Sequence, residues 1–157
     1  MKNVFFYPTD IGKIGIEENG AAITKLYFSR EDALPTAVLN ETELLKRAGA
    51  QLQEYFAGKR KSFDLPLAPE GTPFQQKVWK ALLEIPYGET RSYGDIARNI
   101  GQEKASRAVG MANNKNPIAI IIPCHRVVGS NGKLVGYAGG LDIKEQLLNL
   151  EKQSVKG

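Results

Sequence analysis

Residues 118–128 read Ile-Ala-Ile-Ile-Ile-Pro-Cys-His-Arg-Val-Val and join an apolar run to a cluster of reactive side chains. The first five residues form a continuous apolar run that is long enough for a buried strand. Pro123 lacks the N–H group that a central strand needs, so it ends the run and leaves Cys124 and His125 at its tip. The segment therefore predicts a buried strand that presents a cysteine and a histidine.

Cys124 and His125 are the only cysteine and the only histidine of the chain, and they are adjacent. A cysteine attacks as the thiolate, whereas a free thiol with a pKa of about 8.5 is mostly protonated at neutral pH. A histidine can take up that proton, if necessary through a water molecule, and Arg126 can add positive potential. The pair predicts a nucleophile with its base. The alternative is a buried inert thiol beside a surface imidazole.

Glu151 is the candidate third member of this reactive set. It lies on the same face as Leu147 and Leu148 of a helix predicted over residues 142–151. A carboxylate on an apolar face is costly unless it is paired, and it could orient His125. A solvated carboxylate at a fraying helix end is the alternative interpretation.

The residues that precede this segment predict a mostly helical C-terminal half. Thr72-Pro73 is a strong helix start. A short helix opens at Ser92, Gly101 breaks it, and another helix begins near residues 103–104. Two short helices around a glycine-containing turn predict a helix-turn-helix, and its second helix carries Arg107.

The N-terminal half predicts strands followed by one helix. The predicted strands cover residues 4–7, 13–18 and 21–29. Asn19-Gly20 is a hairpin signal between the last two strands. Asn40 with Glu43 forms an N-cap and capping-box pattern that opens a helix, and Gly58 ends it. Residues 62–71 resemble a linker, so the sequence predicts two parts, 1–70 and 71–157.

The composition excludes several classes of protein. Hydrophobic residues make up 42% of the 157 positions and charged residues 24%, as in an ordinary globular protein. No apolar run is long enough to span a membrane, and the N-terminus lacks the apolar core of a signal peptide. A single cysteine cannot form an internal disulfide, which fits the cytoplasm. One cysteine and one histidine cannot fill the four positions of a structural zinc site.

The charge of the chain is distributed unevenly. The first 70 residues hold nine Lys/Arg and ten Asp/Glu, and the remainder holds twelve Lys/Arg and seven Asp/Glu. The net charge of +4 therefore comes entirely from the second half. A basic half attracts polyanions such as DNA, although a chance imbalance on a solvated surface explains the charge equally well.

Several motifs occur together in the second half. They are Ile122-Pro123-Cys124-His125-Arg126-Val127-Val128, Arg107-Ala108-Val109-Gly110, Asn116-Pro117, Tyr137-Ala138-Gly139-Gly140-Leu141, Tyr93 and the pair Lys144…Glu151. In order and spacing they resemble the O6-alkylguanine-DNA alkyltransferases (methylated-DNA–protein-cysteine methyltransferases). The match covers residues 72–151, whereas the first 70 residues match only in general plan. The resemblance implies direct-reversal DNA repair, with irreversible, stoichiometric transfer of an alkyl group.

The same resemblance implies an α+β fold. A small N-terminal antiparallel sheet plus helix, ribonuclease-H-like and structural, would occupy residues 1–70. A mostly helical, winged helix-turn-helix-like domain that binds DNA and carries the active site would occupy residues 71–157. The resemblance also implies a monomer that needs no metal and no cofactor. Its partner would be double-stranded DNA containing O6-alkylguanine, entered from the minor groove and read after nucleotide flipping.

The resemblance implies a role for each matching position. Cys124 would accept the alkyl group, His125 would act as the base through water, and Glu151 would hold His125. Asn116 would organise the helix-turn-helix against the site, and Tyr93 would help to protonate the leaving guanine. Arg107 would fill the gap left by the flipped nucleotide, and small residues would allow close approach to the groove: Ala105, Ser106, Ala108 and Gly110. The base pocket would be lined by Val127, Tyr137, Ala138, Gly139, Gly140 and Lys144.

Two other functions remain open at the level of the sequence. One is a protein that recognises alkylguanine without repairing it, which the presence of Cys124 disfavours. The other is a Cys-His-Glu hydrolase, which would need an oxyanion hole and would leave the basic half without a purpose. One departure from the family also affects ligand details: Ala138 stands where some members have serine.

Overall fold

The computed structural model of the protein describes residues 2–28, 37–132, 134, 137 and 139–156, the last without its side chain. The chain forms two compact units, Met1–Glu70 and Gly71–Gly157. Among the described residues, none of the helices is both long enough and apolar enough to cross a membrane. The class is α+β, as the sequence predicts.

A β-meander opens the first unit. Its strands are Asn3–Thr9 (β1), Gly12–Glu18 (β2) and Ile23–Tyr27 (β3). Adjacent strands are antiparallel, which confirms the predicted hairpin. The side chain of Asn19 accepts hydrogen bonds from the backbone N–H groups of Ala21 and Ala22, and Gly20 adopts a φ of 95°. Asparagine and glycine at these positions let the chain reverse direction without strain.

The sheet is mixed because of a short fourth strand. Val38–Leu39 (β4) pairs with β1 in the parallel direction, and the strand order is β3-β2-β1-β4. The prediction of a purely antiparallel sheet was therefore wrong in this detail. A strand of two residues is too short to show the alternation by which strands are recognised in a sequence.

The helix Glu43–Phe56 (α1) packs on this sheet, and its N-cap differs from the prediction. Thr42, rather than Asn40, caps the helix, because its side chain accepts a hydrogen bond from the N–H group of Leu45. The backbone N–H group of Asn40 instead donates to the carbonyl of Val4 and so extends the pairing of β4. Both residue types cap helices well, so the sequence alone does not separate them.

Within its described residues, the second unit contains four α-helices. They are Pro73–Leu83 (α2), Tyr93–Asn99 (α3), Ser106–Asn114 (α4) and Leu141–Lys156 (α5). Both of the strong start signals are confirmed, since Thr72 and Ser92 each form a complete capping box. Gly101, with a φ of 75°, lies in the turn between α3 and α4, the predicted helix-turn-helix. The second of these helices begins later than residues 103–104, and α5 extends beyond residues 142–151 at both ends.

Residues 118–122 do not form the predicted strand, although all five are buried. The N–H group of Ile122 donates to the carbonyl of Ile118, and Ile120 has a φ of 74°. The side chain of Asn116 closes this compact turn by accepting from the N–H group of Ile118 and donating to the carbonyl of Ile122. Local hydrogen bonds thus satisfy backbone groups that a strand would pair with a neighbour.

Two short elements follow the turn and bring the reactive residues into the core. Cys124–Arg126 forms a single turn of 3₁₀ helix, and Val127–Val128 (β6) pairs in parallel with Arg91–Ser92 (β5). The indole N–H group of the buried Trp79 on α2 donates to the carbonyl of Ala112 on α4, at 2.8 Å. The 3₁₀ turn that carries Cys124 and His125 therefore belongs to the same packed unit as α2 and the helix-turn-helix.

Candidate active site

Cys124 lies at the start of the 3₁₀ turn and is 4% exposed. Burial raises the pKa of its thiol to about 11, and the Asn116 side chain and the Lys144 charge only partly oppose that rise. At neutral pH the resting group is therefore the thiol rather than the thiolate. A nucleophilic role for Cys124 thus requires a base that removes its proton.

His125 and Glu151 form a buried pair beside this thiol. His125 Nε2 lies 2.7 Å from Glu151 Oε2, and both side chains are almost completely excluded from solvent. Burial lowers the pKa of His125, so the imidazole is neutral at rest. The carboxylate 2.7 Å from Nε2 favours the tautomer that carries its proton on Nε2 and donates it to that carboxylate. His125 Nδ1 is buried and has no hydrogen-bond partner within the described residues. That nitrogen carries the lone pair of a base.

The donors around the Glu151 carboxylate include groups of His125, Arg126 and Gly88. Besides His125, the guanidinium of Arg126 donates to both oxygens at 2.8 and 3.0 Å, and the N–H group of Gly88 donates to Oε1 at 3.2 Å. Burial alone would raise the pKa of Glu151, but the hydrogen bonds from His125 and Arg126, together with the charge of Arg126, lower it to about 2. The carboxylate is therefore a permanent anion that fixes the orientation of the imidazole.

Arg126 holds the Glu151 carboxylate. The third guanidinium nitrogen, Nη1, donates to the carbonyl of Ile85 at 2.8 Å. The guanidinium also lies over the Tyr87 ring, 5.6 Å from the ring centroid. The guanidinium thus compensates a buried carboxylate, a role that the sequence analysis did not give it, and its positive potential at Cys124 stays a prediction. The sequence signal for this pairing was the position of Arg126 directly after the reactive pair.

Lys144, Tyr93 and Tyr137 are the charged or polar side chains whose electrostatics involve Cys124. Lys144 is completely buried on α5, and burial lowers its pKa while a charge on Cys124 raises it. Burial, followed by the charge of Cys124, raises the pKa of both tyrosines. Both hydroxyl groups therefore stay protonated at neutral pH and can donate hydrogen bonds. The pKa of each of these three predicted residues thus responds to the charge of Cys124.

Two asparagine side chains, one on α4 and one just after it, donate hydrogen bonds to backbone carbonyls of residues 122–124. Asn116 does so through Ile122, as described above, and this residue was predicted. Asn113 was not predicted: it is 2% exposed, and its Nδ2 donates to the backbone carbonyl of Cys124 at 3.4 Å. The available sequence signal was its position four residues after the buried Val109, on the inner face of α4.

The predicted DNA-contact residues lie on the outer part of α4 and its N-terminus. Arg107 and Ala108 are exposed, whereas Ala105, Ser106 and Gly110 are half-buried. Gly110 lies against the Tyr93 ring, since a Cβ there would be 3.7 Å from it. A Cβ at position 110 would therefore make an ordinary packing contact between α4 and α3. Arg107 itself is free to meet a ligand.

The predicted pocket residues are described only in part. Val127 is completely buried within β6, and Gly139 and Gly140 are half-buried just before α5. Gly140 has a φ of 97°, a conformation that favours glycine. Ala138 lies outside the described residues. Across the described ranges, no three His, Cys, Asp or Glu side chains cluster as a metal site would require.

Comparisons with known proteins agree with this geometry. Residues 73–153 match the model of the 6-O-methylguanine DNA methyltransferase DNA-binding domain, and residues 5–69 match that of its ribonuclease-like domain. A methylated-DNA–protein-cysteine methyltransferase of Methanosarcina acetivorans is 57% identical over 92% of this chain and 95% of its own. The constitutive enzyme of that name from Bacillus subtilis is 52% identical, over 94% of each chain. The solved structure of Mycobacterium tuberculosis OGT in complex with DNA superimposes with a TM-score of 0.91, at 47% identity, and covers 97% of this chain and 94% of that one.

Proposed function

The chain belongs to the 6-O-methylguanine DNA methyltransferase family, and we propose that it repairs DNA by moving the alkyl group of O6-alkylguanine to Cys124 Sγ. One observation carries this proposal: a buried free thiol is followed directly in the chain by a buried imidazole, and Nε2 of that imidazole lies 2.7 Å from a buried carboxylate. The hydrolase alternative has no support from the relatives. A protein that only recognises the lesion would not need this acceptor.

The first step of the proposed mechanism is ionisation of the thiol. His125 Nδ1 takes the proton of Cys124 through a water molecule, because adjacent side chains seldom face one another directly. The Glu151 anion accepts the hydrogen bond from Nε2 and stabilises the imidazolium as it forms. Lys144 and Asn116 favour the thiolate electrostatically, since each lowers the pKa of Cys124.

The second step transfers the alkyl group. The thiolate attacks the alkyl carbon, a sulfur–carbon bond forms, and the bond between that carbon and O6 breaks. The electron pair of the broken bond stays on the guanine, and a proton donated by Tyr93 neutralises it. The product is a thioether, which has no ready leaving group, so each molecule of protein acts once.

The lesion must leave the duplex before this reaction, because O6 is not accessible to a buried sulfur while the base is stacked. We propose that α4 enters the minor groove and that Arg107 fills the gap left by the extruded nucleotide. Support comes from the exposure of Arg107 and from the small residues around it. One helix-turn-helix and one acceptor cysteine make a complete repair unit, so we expect the protein to act as a monomer. A single unpaired thiol also fits the reducing cytoplasm.

We expect Arg107→Ala to slow repair of O6-methylguanine in duplex DNA by about tenfold or more, because an inserted side chain of this kind stabilises the flipped state by about 1–3 kcal/mol. Reaction with free O6-benzylguanine should keep its wild-type rate, since the free base needs no flipping. Arg107→Lys should be intermediate, because it keeps the charge but loses the planar group that stacks. Equal slowing on duplex DNA and on the free base would contradict the assignment.

The proposed function is tested by mass spectrometry of the intact protein after reaction with DNA containing O6-methylguanine. We expect a mass increase of one methylene group, located at Cys124 by peptide mapping, and one repaired lesion per protein molecule. Continued turnover with excess DNA would indicate a hydrolase instead. Binding of the lesion with no change in protein mass would indicate recognition without repair.

A further inference from the structure

Two buried hydrogen-bond acceptors near Cys124 lack a donor among the described residues. One is His125 Nδ1, and the other is Asn113 Oδ1. Asn113 is 2% exposed and His125 is fully buried, so neither acceptor is supplied by bulk solvent. An unsatisfied buried acceptor costs about 1–3 kcal/mol, and two of them around one reactive atom require an explanation.

The orientation of the Asn113 amide follows from its contacts. Its Nδ2 donates to the backbone carbonyl of Cys124 at 3.4 Å, so the opposite assignment would set two acceptor oxygens against each other. Nδ2 and Oδ1 are bonded to the same carbon, which keeps Oδ1 close to that carbonyl. The carbonyl carbon of Cys124 is in turn bonded to the nitrogen of His125. Both unsatisfied acceptors are therefore linked to the peptide unit between Cys124 and His125. The His125 side chain is covalently part of the residue that follows this unit, and the Asn113 side chain is hydrogen-bonded to its carbonyl.

We propose that Asn113 Oδ1 accepts the second hydrogen of the water molecule that carries the proton from Cys124 to His125. A water molecule has two hydrogens to donate, and these two acceptors use both of them. Its oxygen is then left to accept the S–H hydrogen of the thiol. The inference rests on the proposed relay and adds to it a positioning residue on α4, the helix that also bears Arg107.

The proton balance of this arrangement is simple. The S–H bond of Cys124 breaks as an O–H bond forms on the water, and the O–H bond that points to His125 breaks as an N–H bond forms on Nδ1. The water is regenerated, and Asn113 neither gains nor loses a proton. Its effect is orientational, because a water held at both hydrogens cannot turn a hydrogen towards the sulfur.

The test is the pH profile of the single-turnover reaction with free O6-benzylguanine, which needs no DNA. We expect Asn113→Leu, which keeps the number and branching of the side-chain heavy atoms but removes the amide, to lower the rate constant by about tenfold at pH 7. The loss should shrink as the pH rises, because hydroxide then ionises Cys124 without the relay. Asn114→Leu is the matched control: it alters an exposed asparagine of the same helix and should retain the wild-type profile.

Several outcomes would overturn the proposal. One is a decrease in the rate constant of Asn113→Leu that is equally large at every pH, which indicates a structural role. Another is a pH profile of Asn113→Leu that coincides with that of Asn114→Leu. A wild-type protein that transfers no methyl group from O6-methylguanine DNA to Cys124 would instead contradict the proposed function. If Asn113→Leu does not fold, a high-resolution crystal structure of the unalkylated wild type decides. It should contain one water bonded to both His125 Nδ1 and Asn113 Oδ1, and a water bonded to His125 alone refutes the inference.

Discussion

Cys124→Ala accepts no alkyl group from O6-methylguanine DNA and still binds that DNA: this is the largest effect that we expect. The sulfur is the only atom of the proposed mechanism that forms a bond to the alkyl carbon, so its removal leaves no acceptor. The side chain is 4% exposed and lies away from the outer face of α4, where DNA binding is proposed. Alanine at this position removes one buried atom and should preserve the fold.

The measurement is transfer of a labelled methyl group from duplex DNA to protein, followed by denaturing electrophoresis. Cys124→Ser is the control for side-chain size and shape, because it replaces the S–H group by an O–H group at the same position. It should also accept no label, since an alcohol is far harder to ionise than a thiol. Both variants should retard lesion-containing DNA in a gel to the same extent as the wild type. Label on any other residue of the alanine variant would show that the assignment of the acceptor is mistaken.

Glu151→Gln should reduce the rate of alkyl transfer at pH 7 by at least about a hundredfold, within the range typical of general-base catalysis. A neutral amide cannot stabilise the imidazolium that forms on His125. It also leaves the guanidinium of Arg126, 7% exposed, without its anion. Because an uncompensated buried charge costs about 3–5 kcal/mol, the variant should also unfold at a lower temperature.

The two effects of Glu151→Gln are separated by measuring the rate well below the unfolding temperature and across pH. The matched control is Glu145→Gln, which neutralises an exposed carboxylate on the same helix and should alter neither property. A stable variant with wild-type kinetics would show that the carboxylate has no part in the relay. A variant that is merely unstable, with an unchanged rate where it is folded, would reduce Glu151 to a structural residue.

The parts of the fold that could be predicted are those encoded by neighbouring residues. Thr72, Ser92 and the Asn19-Gly20 turn each bond to backbone groups within three residues, so short sequence patterns identify them. The strand predicted for residues 118–122 was wrong because the burial of this segment and its conformation have different causes. The apolar side chains explain why the segment is inside, whereas the Asn116 side chain, which lies outside the run, bends it into a turn.

The same distinction applies to the candidate site. Cys124 and His125 were found because they are adjacent and chemically unlike the rest of the chain, and Glu151 because a carboxylate on an apolar helix face needs a partner. The pairing of Arg126 with Glu151 was not predicted, because the position of Arg126 after the reactive pair does not by itself identify the anion that it meets. Asn113 was overlooked because an asparagine on the inner face of a helix becomes informative only when its contacts are known.

The turn at residues 118–122 has a consequence for how the protein fails. Four isoleucines and an alanine without a charge form a segment of high β-propensity, and the native turn keeps every one of them covered. When the C-terminal unit unfolds, this apolar segment becomes exposed to solvent. It can then adopt an extended conformation and pair with the same segment of a second chain. Heat inactivation should therefore end in aggregation rather than recovery, so the working lifetime of the protein is governed by its rate of unfolding.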